Sequence, residues 1–293
     1  MGFAAKIILT LLLAPAALLR PGEVKVSQDA LRADVEFLCD SLCAGRGPGS
    51  AGSVEAAAYI TRRLAALGWN VAAQSFAIDS ERAGHNLIAC RALGADANKP
   101  ITVLMACYDG LGTLGGGLYP GADSNASGVA ALLALAERLR GREDILLVFT
   151  DARNAGRLGS QALRNLLKGR RIAMVVNIDI IGAALAPVHD YWPDYLIALG
   201  AERYRKAFEK ANAGLQLHLY YDYYRSRNFT DLFYRKSGDQ AVFVADGVPA
   251  ILFTSGITPN TNKPSDTPET LDYDIFARRV EFIARFIEQH GRK

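Results

Sequence analysis

The sequence Pro120-Gly-Ala-Asp-Ser-Asn-Ala-Ser-Gly128 is the most informative stretch of this chain. It ends a glycine-rich segment, 109–121, and leads into an apolar run that predicts a helix over 125–140. Serine is a residue type that caps helices, so we expect Ser124 to cap this one. Before the glycine-rich segment, the nearly continuous apolar run 101–108 predicts a strand that is covered on both faces. The order is therefore strand, glycine-rich loop and helix.

The same alternation extends to both sides of this unit. The spacing of apolar residues predicts helices over 27–42, 53–67, 158–167, 195–213 and 273–290, and strands over 71–77, 86–91, 145–150, 172–178 and 250–254. Ser27 is the predicted cap of the first helix. Strands that alternate with helices indicate an α/β fold with a mixed, mostly parallel central sheet. The sequence contains no internal repeat and no linker, so we expect one domain over 27–293.

Composition limits the classes of function. The chain has 293 residues, half of them hydrophobic, which is enough to bury a sizeable core. Its formal net charge is only +3, which gives no reason to expect nucleic acid as a partner.

The first 19 residues have the pattern of a secretory signal peptide. Lys6 precedes the apolar run 7–13, and Ala14-Pro15-Ala16 supplies a small-x-small cleavage site. The apolar run is shorter than the roughly 20 residues that a membrane-spanning helix needs, so no transmembrane span is expected. We therefore expect an exported protein, periplasmic or secreted. The alternative is that this run forms a buried strand or helix.

Four cysteines leave the disulfide question open. Cys39 and Cys43 are four residues apart in a predicted helix, which is poor geometry for a disulfide. Cys90 and Cys107 end two strands that we expect to be neighbours. The cysteines can be paired after export or remain buried free thiols, and the sequence does not decide between these states.

Six further motifs occur along the chain in a fixed order. They are Gly45-Arg-Gly47, His85-Asn-Leu-Ile-Ala89, Gly156-Arg-Leu-Gly-Ser160, Val175-Val-Asn-Ile-Asp-Ile-Ile-Gly182, Gly247-Val-Pro-Ala-Ile251 and Lys263-Pro-Ser-Asp-Thr267. Together with the opening motif they resemble metallopeptidase family 28, the co-catalytic zinc aminopeptidases and glutaminyl cyclases. The resemblance covers roughly 28–290. It implies a three-layer α/β/α fold of the zinc-exopeptidase, phosphorylase/hydrolase-like type, with the site at the carboxyl edge of the sheet.

The resemblance also implies a set of metal ligands. In that family, histidine nitrogens and carboxylate oxygens hold two zinc ions, and a glutamate takes a proton from the bridging water. The five ligand positions of the family are occupied here by Cys107, Ser124, Asn154, Asp179 and Asn262. Of these, Asp179 alone is the expected ligand type. Arg153 stands at the position of the general base, so no catalytic residue and no metal ligand set is expected.

Other residues of the motifs are expected to support the pocket. They are Asp109, Asp123, Asn125, Asp239 and Gln240. Arg153 stays protonated, so it repels Zn²⁺ and cannot deprotonate water. A buried carboxylate without a metal needs a partner, and we predict that Arg153 pairs with Asp179, Asp123 or Asp109.

These residues lead to a hypothesis and two alternatives. The hypothesis is an inactive pseudo-peptidase without a cofactor, whose old active-site cleft binds a peptide or a protein partner. One alternative is an active aminopeptidase or cyclase of the metallo-hydrolase type, with zinc at an atypical site or with another nucleophile. The other is a subunit of a larger envelope assembly. Aromatic residues between 220 and 234, including Tyr223 and Phe233, are candidates to line a ligand groove or to join the core.

Overall fold

The computed structural model describes residues 25–92, 98–183, 194–223 and 225–290. The expected signal peptide lies outside these residues, and so does Tyr224 of the aromatic cluster. The first half of the chain alternates between strands and helices. Its elements are α1 (Gln28–Cys39), α2 (Ala51–Ala66), β1 (Asn70–Ala77), β2 (Ala83–Cys90), β3 (Ile101–Cys107), β4 (Gly112–Leu114), β5 (Gly117–Tyr119) and α3 (Ser127–Arg138).

The second half continues this alternation with shorter helices before a long final one. Its elements are β6 (Ile145–Thr150), α4 (Leu158–Leu166), β7 (Ile172–Ile178), β8 (Tyr195–Leu199), α5 (Arg205–Ala211), β9 (His218–Tyr220), α6 (Arg227–Asp231), α7 (Ala241–Ala245), β10 (Ala250–Thr254) and α8 (Tyr273–His290). None of the described helices is long and apolar enough to cross a membrane.

Eight of the described strands form one mixed sheet in the order β1-β2-β6-β3-β7-β10-β8-β9. The four central strands, β6, β3, β7 and β10, run parallel to one another. Antiparallel pairing occurs between β1 and β2, between β2 and β6, and between β10 and β8. The carboxyl ends of the four central strands therefore meet at one edge of the sheet, as the mixed, mostly parallel prediction requires.

The sheet has apolar cores on both faces. On β7, Val176 and Ile178 belong to a large core that includes buried residues of α1, α2, α3, α5 and α8. Val175, one residue away and on the opposite face, belongs to a smaller core with Leu163 of α4 and Phe243 of α7. This alternation is the period-two pattern of a strand that is covered on both faces. The molecule thus has the predicted three-layer α/β/α arrangement.

The predicted helix over 195–213 is wrong. Its first five residues form the buried strand β8, and α5 begins only at Arg205. Gly200 separates the two with a φ of 78°, and a Cβ at this position would meet the ring of Tyr234. Tyr195-Leu-Ile-Ala-Leu199 is a short apolar run, and periodicity does not distinguish a buried strand from a helix over so few residues.

Two smaller predictions are also corrected. Strands β2 and β3 are not neighbours, because β6 lies between them, so Cys90 and Cys107 do not end adjacent strands. All four cysteines are free thiols. The segment predicted as a glycine-rich loop contains the hairpin formed by β4 and β5, with Gly115 and Gly116 at its tip.

Candidate functional site

A cleft lies at the edge where the central strands end. Cys107 is the last residue of β3, and Asp179 directly follows β7. Arg153 and Asn154 follow β6, and Thr254 ends β10. Crevices at the carboxyl ends of parallel strands are the usual ligand sites of open α/β sheets. The sheet topology therefore brings residues from four distant segments into one cleft.

The cleft has a mixed polar and apolar lining. The lining includes all five of the expected metal-ligand positions, namely Cys107, Ser124, Asn154, Asp179 and Asn262. Asp109, Asn125 and Arg153 also line it. The structure therefore brings together residues that the sequence places more than 150 positions apart.

Arg153 and Asp179 form an ion pair in the cleft. The Nη2 of Arg153 donates a hydrogen bond of 2.7 Å to the Oδ2 of Asp179. The Arg153 side chain is 28% exposed and the Asp179 side chain 12% exposed. The charge of Asp179 raises the pKa of Arg153 above its usual value, although burial acts in the opposite direction. This pairing was one of three predicted from the sequence, and it is confirmed.

Asp109 holds the turn that carries Arg153. Its Oδ1 accepts a hydrogen bond from the backbone N–H of Arg153 at 3.0 Å, and its Oδ2 accepts one from that of Asn154 at 3.1 Å. The Asn154 side-chain amide donates a third, of 3.2 Å. Burial raises the pKa of Asp109 to about 7. In this chain Asp109 therefore positions a backbone turn.

Asn125 ties the start of α3 to the ends of two strands. Its Nδ2 donates to the carbonyl oxygen of Ile178 at 3.0 Å and to that of Cys107 at 3.3 Å. Its Oδ1 accepts from the backbone N–H of Gly128 at 3.1 Å and from that of Ile180 at 3.0 Å. Asn125 thus holds the first turn of α3 through Gly128. The prediction that Ser124 caps this helix is wrong, since α3 begins at Ser127 and the residue at its cap position is Ala126.

Cys107 lies at the bottom of the cleft and is only 3% exposed. Burial, assisted by the negative charge of Asp179, raises the pKa of its thiol well above the usual value. The thiolate is the reactive and metal-binding form of cysteine, so this position disfavours both roles.

Asp123 does not line the cleft. Its Oδ1 accepts hydrogen bonds from the backbone N–H groups of Gly182 and Ala183, at 2.8 and 3.2 Å, and from the Ser127 hydroxyl. Burial, followed by the charge of Asp266, raises its pKa to about 6. Asp123 therefore fastens the segment after β7 to the start of α3.

Asp239 and Gln240 are buried behind the cleft wall. Asp239 accepts a hydrogen bond of 2.7 Å from the Thr150 hydroxyl, and burial raises its pKa. Gln240 accepts from the Asn177 side chain at 2.8 Å and donates to the carbonyl oxygens of Phe233 and Tyr234. Their neighbour Gly238 lines the cleft. These two polar side chains therefore support the cleft from behind.

One side of the cleft is apolar and was only partly foreseen. Tyr223 and Phe233, both from the aromatic cluster, stack with their ring centroids 4.2 Å apart. Leu252 of β10 and Ile257 join them in the lining. The density of aromatic residues pointed to Tyr223 and Phe233. No motif pointed to Leu252 or Ile257, whose place depends on where the chain turns after β10.

The residues of the cleft do not fit a pair of zinc ions. Within the described residues, no group of three or more His, Cys, Asp or Glu side chains could hold a metal ion. Zinc sites need three or four such donors. The carboxylate that remains at a ligand position, Asp179, is bonded to a guanidinium that repels cations.

The profile of peptidase family M28 matches residues 86–287. The chain belongs to peptidase family M28. No curated protein matches it in sequence.

Solved structures share this fold at low sequence identity. A zinc aminopeptidase from Bacillus subtilis, BSAP, is 13% identical with a TM-score of 0.72, and the match covers 91% of this chain and 95% of that one. The LapA aminopeptidase of Legionella pneumophila is 15% identical with a TM-score of 0.70, over 89% of this chain and 71% of that one. Glutaminyl cyclase from Porphyromonas gingivalis is 19% identical with a TM-score of 0.68, over 90% of this chain and 98% of that one.

Proposed function

We propose that this chain is a non-catalytic member of family M28 whose cleft binds a peptide or a protein partner. The observation that carries the proposal is the ion pair between Arg153 and Asp179, at 2.7 Å. In the family pattern these positions belong to the general base and to a zinc ligand. In this chain the positive charge of Arg153 and the negative charge of Asp179 neutralise each other.

Arg153 removes the general base of the family pattern, and its pairing with Asp179 removes a zinc ligand. An arginine stays protonated in proteins, so Arg153 cannot take a proton from water. Asp179 is occupied by the guanidinium, and the other four ligand positions carry the neutral residues Cys107, Ser124, Asn154 and Asn262. With a fixed cation among them, two dications would have little to hold them and a repulsive charge nearby. We therefore propose that the chain functions without zinc.

The cleft itself supports a binding role. It lies at the carboxyl ends of the central strands and has an apolar side that includes Tyr223 and Phe233. Aromatic residues in concave sites are common anchors for ligands. The signal-peptide pattern over 1–19 supports export, so we propose that this binding takes place in the periplasm or outside the cell.

An activity assay tests the loss of catalysis. The purified chain, with and without added zinc, is offered aminoacyl p-nitroanilides and peptides with amino-terminal glutamine, and an Asp179→Ala variant serves as the matched control. We expect no turnover above background in either protein. Zinc-dependent turnover that disappears in Asp179→Ala would show an active enzyme with an atypical metal site, and would refute the proposal.

A further inference from the structure

The ion pair leaves most hydrogen-bonding capacity of Arg153 unused. A guanidinium carries five N–H donors. In the described part of the chain, Arg153 uses Nη2 for Asp179, and its Nε is buried without a hydrogen-bond partner. The side chain is 28% exposed and lines the cleft, so the group is partly open to a ligand. The guanidinium of Arg153 therefore has N–H groups that lack a hydrogen-bond acceptor.

The surroundings of Arg153 contain little competing negative charge. Asp179 is paired with Arg153 itself. Asp109 is buried and its oxygens already accept three hydrogen bonds. Asp239 is buried behind the wall and bonded to Thr150. Thr254, Thr261 and Asn262, which complete the polar lining, are neutral. A ligand therefore meets one cation with spare donors and an anion that is already paired.

The opposite part of the lining suits an apolar side chain. Ile180, Tyr223, Phe233, Leu252 and Ile257 all contribute to it. Tyr223 stacks on Phe233 within this lining, and aromatic rings pack well against aromatic or branched aliphatic groups. The cleft thus pairs an apolar surface with an underused guanidinium.

We propose that the cleft binds the free carboxylate of an apolar or aromatic residue, as found at the C-terminus of a peptide. The carboxylate accepts hydrogen bonds from the guanidinium of Arg153, and the side chain contacts Tyr223, Phe233 and their apolar neighbours. Arginine is the residue best suited to carboxylates, because its planar donors match both oxygens. This inference rests on the proposed function and adds that a peptide enters with its carboxyl end.

Matched peptides test the inference on the unmodified protein. Binding of Gly-Gly-Phe with a free carboxylate is compared by calorimetry with Gly-Gly-Phe amide, which differs only at that end. Hydrogen bonds to a charged carboxylate are stronger than those to a neutral amide, so we expect the acid to bind at least about tenfold more tightly. Acetylation of the amino end of the acid should leave its affinity unchanged.

The outcomes separate this inference from the proposed function. Equal affinity of acid and amide would refute carboxylate recognition and leave peptide binding intact. Binding of neither peptide would contradict both. Free phenylalanine and N-acetylphenylalanine distinguish the source of the carboxylate. If they bind as tightly as the tripeptide acid, the carboxylate chemistry is supported and a single amino acid is the occupant.

A neutral variant of the ion pair provides the structural control. Arg153→Gln combined with Asp179→Asn keeps polar side chains of similar size and removes both charges. We expect this double variant to bind acid and amide equally, and to show the circular dichroism spectrum of the unchanged protein. Arg164→Gln disrupts the exposed pair of Arg164 with Asp246, outside the cleft, and should preserve the preference for the acid. A preference that survives in the double variant would contradict the role of Arg153.

Discussion

At the scale of single residues, the chemistry of the cleft depends on Arg153. One side chain occupies the position where the family pattern has a base and binds the carboxylate that remains among the ligand positions. Its backbone is held in turn by Asp109. The sequence predicted that Arg153 pairs with Asp179, Asp123 or Asp109, because a buried carboxylate needs a partner, but it did not decide between the three. It did not predict that Asp109 would bind the backbone of that turn.

The strength of this pair can be measured with a double-mutant cycle. Arg153→Gln and Asp179→Asn each leave one charge without its partner, and the double variant leaves none. Because the pair is mostly but not fully buried, we expect a coupling energy of about 1–2 kcal/mol in urea unfolding. If the two substitutions changed the free energy of unfolding in a strictly additive way, the two side chains would not stabilise each other.

At the scale of elements, the cleft depends on how strand ends are joined to helix starts. Asn125 is 2% exposed and makes hydrogen bonds to groups at the ends of β3 and β7 and at the start of α3. Gly128 is required beside it, since a Cβ there would lie 2.4 Å from the Asn125 Oδ1. The segment 120–128 therefore connects the ends of β3 and β7 to the start of α3 through the hydrogen bonds of Asn125.

Removal of the hydrogen bonds made by the Asn125 side chain should destabilise the fold. Asn125→Ala leaves buried backbone groups without partners, and we expect a loss of about 3 kcal/mol in the free energy of unfolding. The matched control is Asn165→Ala on the exposed face of α4, which should change it by less than about 0.5 kcal/mol. Equal effects of the two substitutions in urea unfolding would contradict the role of Asn125.

The elements also show which strands the sequence patterns predict correctly and which they do not. Strands β3, β6 and β7 were predicted within a residue of their bounds, because nearly continuous apolar runs with polar or proline residues close by leave few alternatives. Strand β8 was predicted as a helix, since its five apolar residues fit either period and its partner β10 lies about 50 positions later. The segment is a strand because it pairs with β10, and local sequence patterns contain no information on pairing between distant segments.

At the scale of the whole molecule, a charged network joins the first described residue to the last helix. Glu281 of α8 is 1% exposed and accepts hydrogen bonds from the backbone N–H of Lys25 and from the side chains of Arg138 and Arg285. Burial disfavours its charge, but the Arg285 hydrogen bond and the charge of Arg138 outweigh burial and lower its pKa.

This network predicts a pH dependence of stability. Since the folded pKa of Glu281 is lower than the unfolded one, its charge stabilises the fold above the unfolded pKa, and this contribution disappears as the pH falls through the folded pKa. Glu281→Gln should therefore lower the free energy of unfolding by about 3 kcal/mol at neutral pH. The difference from the unchanged protein should narrow as the pH is lowered. A difference that stays constant with pH would contradict this assignment.

The site as a whole was predictable in its residues but only partly in its shape. The five positions to which the resemblance assigns metal ligands all line one cleft. They did not reveal that Asp123, Asp239 and Gln240 turn away from it, because side-chain direction depends on the turn in which each residue lies. The apolar side was only partly predicted, since the aromatic cluster includes Tyr223 and Phe233 but Leu252 and Ile257 belong to no motif.

The most direct test of the central claim is the zinc content of the protein. The chain is purified without chelator, equilibrated with excess zinc, desalted and analysed by mass spectrometry of its metals, beside an Arg153→Glu/Asn154→Glu variant that restores two carboxylates. We predict zinc far below one ion per chain in the unchanged protein and more in the variant. One or two tightly held zinc ions per unchanged chain, lost on Asp179→Ala, would contradict the account.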